Sequence, residues 1–328
     1  MAHVRTIATH NGAPVKEAAL TSDAGVTVSI LSYGALVRDW TVPDRAGEAR
    51  TVTLGFEDFA PYPTHSRSFG IIAGRIANRV RYGRFALDGR TYQLDINKPP
   101  HHIHGGREGL GVCQWSLEAD GEEARLTHTS PDGHMGYPGT VAFEVRYRLS
   151  GHTLTITMAG VPDRPTPIAL AQHSYYNLSG GGRIDDHRLT VAADRVCVVD
   201  ADTVPTGELQ DVAETAFDFR TLRRVGPTQL DNNFCLTGAA PAAVLETDDM
   251  VLTLTTDRPG VQVYSAFDMP DIPVPGLGGA RYGPFSGIAL EAQDWPDAVN
   301  HPHFPSVIRT PDNPYRQETA ITIAPKTR

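Results

Sequence analysis

The chain is poor in cysteine. Cys113, Cys197 and Cys235 are the only three among 328 residues. Their number is odd, they lie far apart along the sequence, and no CxxC pair occurs. That argues against a disulfide framework and against a cysteine-based zinc site. Reduced thiols in a cytoplasmic protein are the simpler reading. No apolar run is long enough to cross a bilayer. The stretch from Met1 to Ala19 lacks the apolar core of a signal peptide.

Positive charge is also in short supply. There are 29 Lys and Arg against 38 Asp and Glu, a net charge of −9. Nucleic acids and anionic membranes call for basic patches, so neither is expected as a partner. A neutral small molecule suits this balance. Nucleotide motifs are missing: there is no GxxxxGK[ST] loop and no GxGxxG after a strand. The GxSxG elbow and the HExxH zinc motif are missing too. No linker, internal repeat or low-complexity tract divides the chain. Length alone allows two domains, but long β folds form single units, and residues 1–328 read as one domain.

What is present is a period of two. Val141, Phe143, Val145, Tyr147 and Leu149 alternate with more polar neighbours. Leu154, Ile156 and Met158 do the same after a turn signal at Ser150-Gly151. This predicts an antiparallel hairpin with one buried face. Similar runs occur at Val26–Ile30, Leu189–Ala192, Leu252–Thr256, Val261–Phe267 and Ala320–Ala324. Asp88-Gly89, Asp132-Gly133, Pro138-Gly139 and Pro259-Gly260 mark turns. Helical stripes are scarce, with at most one turn after Pro296. Many short strands with frequent turns predict an all-β sandwich or barrel of antiparallel sheets.

Two segments stand out as chemistry. Gln172-His173-Ser174-Tyr175-Tyr176-Asn177 offers an imidazole, and Leu290-Glu291-Ala292-Gln293 offers a carboxylate. Converging on one small molecule, they make an acid and a base that move two protons without metal or cofactor. Each also has a plain reading: His173 as a core histidine bonded to backbone, Glu291 as half of an ion pair. His104 precedes Gly105-Gly106, a pair suited to a tight bend with positive φ. Asn78 and Arg79 could fork onto vicinal hydroxyls, or the arginines of Gly74–Arg79 could simply pair with carboxylates. Asp231 could accept from the same hydroxyls, or Asp231-Asn232 could be only a turn. His102, His104 and Glu108 have the spacing of half a cupin metal site. The second half fails, because Gln210 stands where its histidine belongs.

Together these segments resemble the aldose 1-epimerase (galactose mutarotase) family. The matching pieces run in the family's order: Ser32-Tyr33-Gly34-Ala35, Leu54-Gly55-Phe56, Gly74–Arg79, Ile103–Gly106, Trp115, Gly136–Gly139, His173–Leu178, Gly260–Tyr264, Glu291–Asn300 and Phe304-Pro305-Ser306. The resemblance implies one large, twisted antiparallel β-sandwich of the galactose mutarotase type, with a sugar in an open cleft. It implies interconversion of the α and β anomers of a free aldose by a cofactor-independent isomerase. His173 falls at the general acid and Glu291 at the general base. His104 falls at a second catalytic histidine near the ring oxygen. Asn78, Arg79, Asp231 and Gln262 fall where hydroxyls are bound, and Tyr175 lines the site.

The chain departs from the family at three places. Asn232 follows Asp231 where histidine is usual, Tyr176 replaces phenylalanine, and Pro270–Gly283 is a Gly- and Pro-rich stretch expected to form a loop at the cleft rim. These changes bear on sugar preference. Two other functions use the same residues. A non-catalytic sugar-binding protein would need Asp231, Arg79 and aromatics but not both His173 and Glu291. A cupin-like metal enzyme would need the missing histidine.

Overall fold

The expected hairpin forms. In the computed structural model, which describes residues 3–66 and 68–326, Val141–Ser150 pairs antiparallel with Thr153–Pro162. The five alternating apolar residues of the first strand are all buried. Each side chain of that size stabilises the fold by roughly 1.5–3 kcal/mol when buried. A one-residue slip would turn all five to solvent, so the register is strongly set. Gly151, with φ +54°, supplies the positive dihedral that a two-residue hairpin turn requires.

This hairpin sits inside a nine-stranded antiparallel sheet that runs from Ser116–Asp120 at one edge to Arg223–Arg224 at the other. A six-stranded sheet has the order Tyr175–Tyr176, Ile288–Gln293, Gly260–Tyr264, Asp231–Leu236, Ala193–Val199, Pro205–Asp211. A five-stranded meander from His3 to Thr51 makes the third large sheet. Residues of all three, such as Ile156, Val263 and Val28, share one hydrophobic cluster. The helical content is small; the turn expected after Pro296 is Ala298–Asn300.

The six-stranded sheet positions the site, and strand alternation explains how. Ile288, Leu290 and Ala292 point into the main cluster, as do Val261 and Val263. Their neighbours Glu291, Gln262 and Tyr264 therefore lie on the opposite face. The register lines up two rows across that face. One runs Tyr175, Ala289, Tyr264, Asp231 and the other Glu291, Gln262, Asn233. Residues directly opposite in such ladders are close enough to touch.

Candidate active site

A cleft of about 240 Å³ opens over these two rows. Seven of the eight residues singled out from the sequence line it: Asn78, Arg79, His104, His173, Tyr175, Asp231 and Glu291. The eighth, Gln262, lies one layer back. It is buried, and its amide donates to Asp231 Oδ1 at 2.6 Å. Arg79 Nη2 lies 3.4 Å from Asp231 Oδ2. Asp231 is thus held from both sides, and a hydroxyl binding there meets a fixed acceptor.

His173 is set by backbone on both sides. Its N–H donates to the Ile71 carbonyl and its carbonyl accepts from Gly70 N–H, each at 2.9 Å. Gly70 has φ +70°, and a Cβ there would run into the Val37 carbonyl. His173 Nε2 faces Glu291 Oε1 at 3.4 Å. Nδ1 of His173 and Oε2 of Glu291 are buried without a hydrogen-bond partner among the described residues. The electrostatics follow from that burial. It pushes the His173 imidazole down to about 4. Burial, reinforced by the Asp231 charge, holds the Glu291 carboxyl well above the usual carboxylate range. Both shifts oppose an ion pair and favour one shared proton with no net charge.

His104 packs edge-on against His173, with ring centroids 5.2 Å apart. The expected bend is present: His104, Gly105 and Gly106 all have positive φ. A Cβ at Gly105 would collide with the Gly74 carbonyl. Asn78 locks the ring. Its carbonyl accepts from His104 N–H at 3.0 Å, and its own N–H donates to His104 Nδ1 at 3.2 Å. Nδ1 is therefore an acceptor, and neutral His104 carries its proton on Nε2. Burial, with His173 and Arg79 close by, keeps this imidazole well below its ordinary range. It is a neutral hydrogen-bond donor.

Several sequence readings change. His102 is committed at both ring nitrogens, to Tyr137 Oη at 2.6 Å and the Asp95 carbonyl at 2.7 Å. Glu108 is largely exposed. The cupin-like trio does not converge. Arg75, the first arginine of its motif, is structural: it donates to Ser130 Oγ and to the Ser130, Pro131 and Pro138 carbonyls. Two cysteines far apart in sequence meet in space, with Cys197 Sγ and Cys235 Sγ at 3.9 Å and unbonded. Asn232 and Tyr176 do not touch the cleft. Each follows a cleft residue by one position, so alternation turns it to the opposite face, and both are buried there. Their departure from the family pattern does not reach the lining of this cleft. Pro270–Gly283 is a loop, but it packs Ile272 and Tyr282 against Phe56 and Phe69 rather than lining the cleft.

Lys98, Tyr264, Asp268 and Met269 also line the cleft, and the sequence motifs assign them no role. Tyr264 was within reach, because it sits two positions after Gln262 on the same strand. The others lie in turns and loops with no periodic signal.

Comparison with known proteins identifies the family. The family model described as aldose 1-epimerase matches residues 16–322. Galactose mutarotase of Bos taurus is 38% identical over 319 residues, covering 93% of each chain. Aldose 1-epimerase of Escherichia coli is 30% identical over 315 residues, covering 90% of each. Among solved structures, an aldose epimerase homologue from C. elegans superimposes with a TM-score of 0.89 at 28% identity, over 94% of this chain and 98% of that one. Galactose 1-epimerase from Lactobacillus acidophilus gives 0.87 at 28% identity, over 100% and 99%. The chain belongs to the aldose 1-epimerase family.

Proposed function

We propose that His173 and Glu291 open and reclose the ring of a free aldose in this cleft. The enzyme is an isomerase that interconverts α and β anomers. A cyclic aldose is a hemiacetal. Opening it removes the proton from the anomeric O1–H and delivers one to the ring oxygen O5. Glu291 takes the first proton and His173 gives the second, and the C1–O5 bond breaks to an aldehyde. Rotation about C1–C2 presents the other carbonyl face. Reversed roles then close the other anomer.

The observation that carries this reading is the 3.4 Å approach of His173 Nε2 to Glu291 Oε1 on one polar cleft. The working pair carries one proton. Moving it from the carboxyl to the imidazole converts the neutral resting pair into carboxylate and imidazolium without any exchange with solvent. Each positioned donor or acceptor contributes about 10²–10⁴-fold. His104 Nε2–H donates toward the ring oxygen and shares the charge that develops there. Asn78, Arg79 and Asp231 hold sugar hydroxyls, Gln262 orients Asp231, and Tyr175 supplies an aromatic wall.

A non-catalytic sugar binder would gain nothing from a buried acid–base pair that costs stability. We read residues 1–328 as one domain, since the three large sheets share a core. Unbonded thiols fit a cytoplasmic setting. No helix among the described residues is long and apolar enough to cross a membrane. The test is polarimetry on α-D-glucose, α-D-galactose, α-D-xylose and L-arabinose, with and without EDTA. Relaxation faster than buffer that survives the chelator supports the reading. No acceleration on any sugar, or loss with EDTA, overturns it.

A further inference from the structure

Asp268 lines the cleft and has no part in the reaction as assigned. It is nonetheless carefully placed. The strand Gly260–Tyr264 ends just before it. Ala266 then adopts a left-handed backbone, φ +52°. An L-residue with a Cβ avoids that region unless its surroundings impose it. Here they do: the Ala266 carbonyl accepts from Met269 N–H at 3.2 Å and from Phe285 N–H at 3.0 Å. The turn brings Asp268 back beside Tyr264, whose hydroxyl donates to Asp268 Oδ1. Tyr264 is itself fixed, opposite Asp231 in the ladder and edge-on to Tyr175 at 5.9 Å.

Asp268 is exposed and forms no ion pair among the described residues. An ionised carboxylate has about four acceptor sites, and Tyr264 occupies one. The rest are available to whatever fills the cleft. A carboxylate can only accept, and the hydroxyls of a sugar are donors.

We propose that Asp268, held by Tyr264, is a specificity-determining residue that accepts a hydrogen bond from one hydroxyl of the bound aldose. This rests on reading the cleft as the aldose site. A sugar lacking that hydroxyl forfeits one charge-assisted hydrogen bond to Asp268. A sugar carrying a phosphate or carboxylate there meets the like charge of Asp268 directly. The class selected is a neutral aldose that bears a free hydroxyl at that position.

The test pairs residue against hydroxyl. Mutarotation kcat/KM is measured for a parent aldose, its 2-, 3-, 4- and 6-deoxy analogues and the corresponding 6-phosphate, with wild type, Asp268→Ala and Asp268→Asn. Wild type should lose about 10- to 100-fold on one deoxy sugar, the range of a hydrogen bond to a charged group. Asp268→Ala should lose the same factor on the parent, through KM with kcat nearly kept, and no longer distinguish that deoxy sugar. The other deoxy ratios should stay at wild-type values. Asp268→Asn, which keeps shape and one acceptor, should fall between the two and narrow the disadvantage of the phosphate. Deoxy ratios identical in all three proteins overturn the proposal, as does a loss in kcat alone. Wild type inactive on every parent aldose would instead overturn the reading of the cleft itself.

Discussion

Glu291 and Gln262 stand directly opposite each other on paired antiparallel strands. Gln262 spends its amide on Asp231, so Glu291 faces His173 with Oε2 unpaired. One cross-strand pair thereby does two jobs. It fixes the Asp231 carboxylate and leaves the neighbouring Glu291 carboxyl under-solvated and basic. That contrast drives the behaviour expected below.

The pH dependence follows from the directions of the two shifts. The working pair holds one proton. Adding a second charges His173, which burial has pushed down to about 4. Removing the only one ionises Glu291, whose carboxyl is held well above its ordinary value. Both displacements widen the active window. The kcat profile should be a broad bell, flat through pH 6.5, with its acid limb nearer 4 than the ordinary histidine value. The limbs belong to the pair rather than to either residue. A stopped-flow or polarimetric profile from pH 4 to 9 checks this, and an acid limb centred at 6.5 contradicts it.

Stability should carry the cost of the buried carboxyl. Unfolded, Glu291 loses its proton near 4.5; folded, it keeps the proton to a higher pH. Between those values the folded state binds one more proton, so stability falls as pH rises, by about 1.4 kcal/mol per unit for this group. Glu291→Gln removes that slope. Its Tm should exceed that of wild type, by a margin that grows as the pH rises above about 5. Thermal melts at three pH values measure it, and an unchanged difference contradicts the burial argument.

The proposed mechanism gives Asp231 a binding role rather than a proton-transfer role. Asp231→Ala removes an acceptor and leaves the Arg79 guanidinium without that partner. KM should rise and kcat/KM should fall about 10- to 100-fold, the scale of a charged hydrogen bond. Gln262→Leu should give a milder change in the same direction, since it acts through Asp231. Wild-type kinetics for Asp231→Ala on the best substrate would remove that residue from the site.

Much of this was legible in the sequence, and the reasons are local. Alternation in Val141–Leu149 marked a strand because a buried face imposes a period of two. The same period, applied to Asp231-Asn232 and Tyr175-Tyr176, turns Asn232 and Tyr176 away from the cleft. The family pattern, rather than spacing, brought His173 and Glu291 together. What stayed hidden depends on non-local register or depth. The Cys197–Cys235 approach exists only because Ala193–Val199 pairs with Asp231–Leu236. Asp268 sits in a turn with no periodic signal. The opposed shifts of His173 and Glu291 reflect burial, which neither segment displays by itself.

The central claim is that His173 and Glu291 together move the two protons. The most direct test is saturating mutarotation kinetics on the best aldose for Glu291→Gln, His173→Asn and the double variant, with circular dichroism as the check on folding. Each single change nearly preserves shape and should lower kcat by about 10²–10⁴-fold. The double variant should be scarcely worse than the poorer single one, because groups acting as a unit are not additive. Glu291→Gln retaining most of the wild-type kcat with an unchanged spectrum would contradict the account.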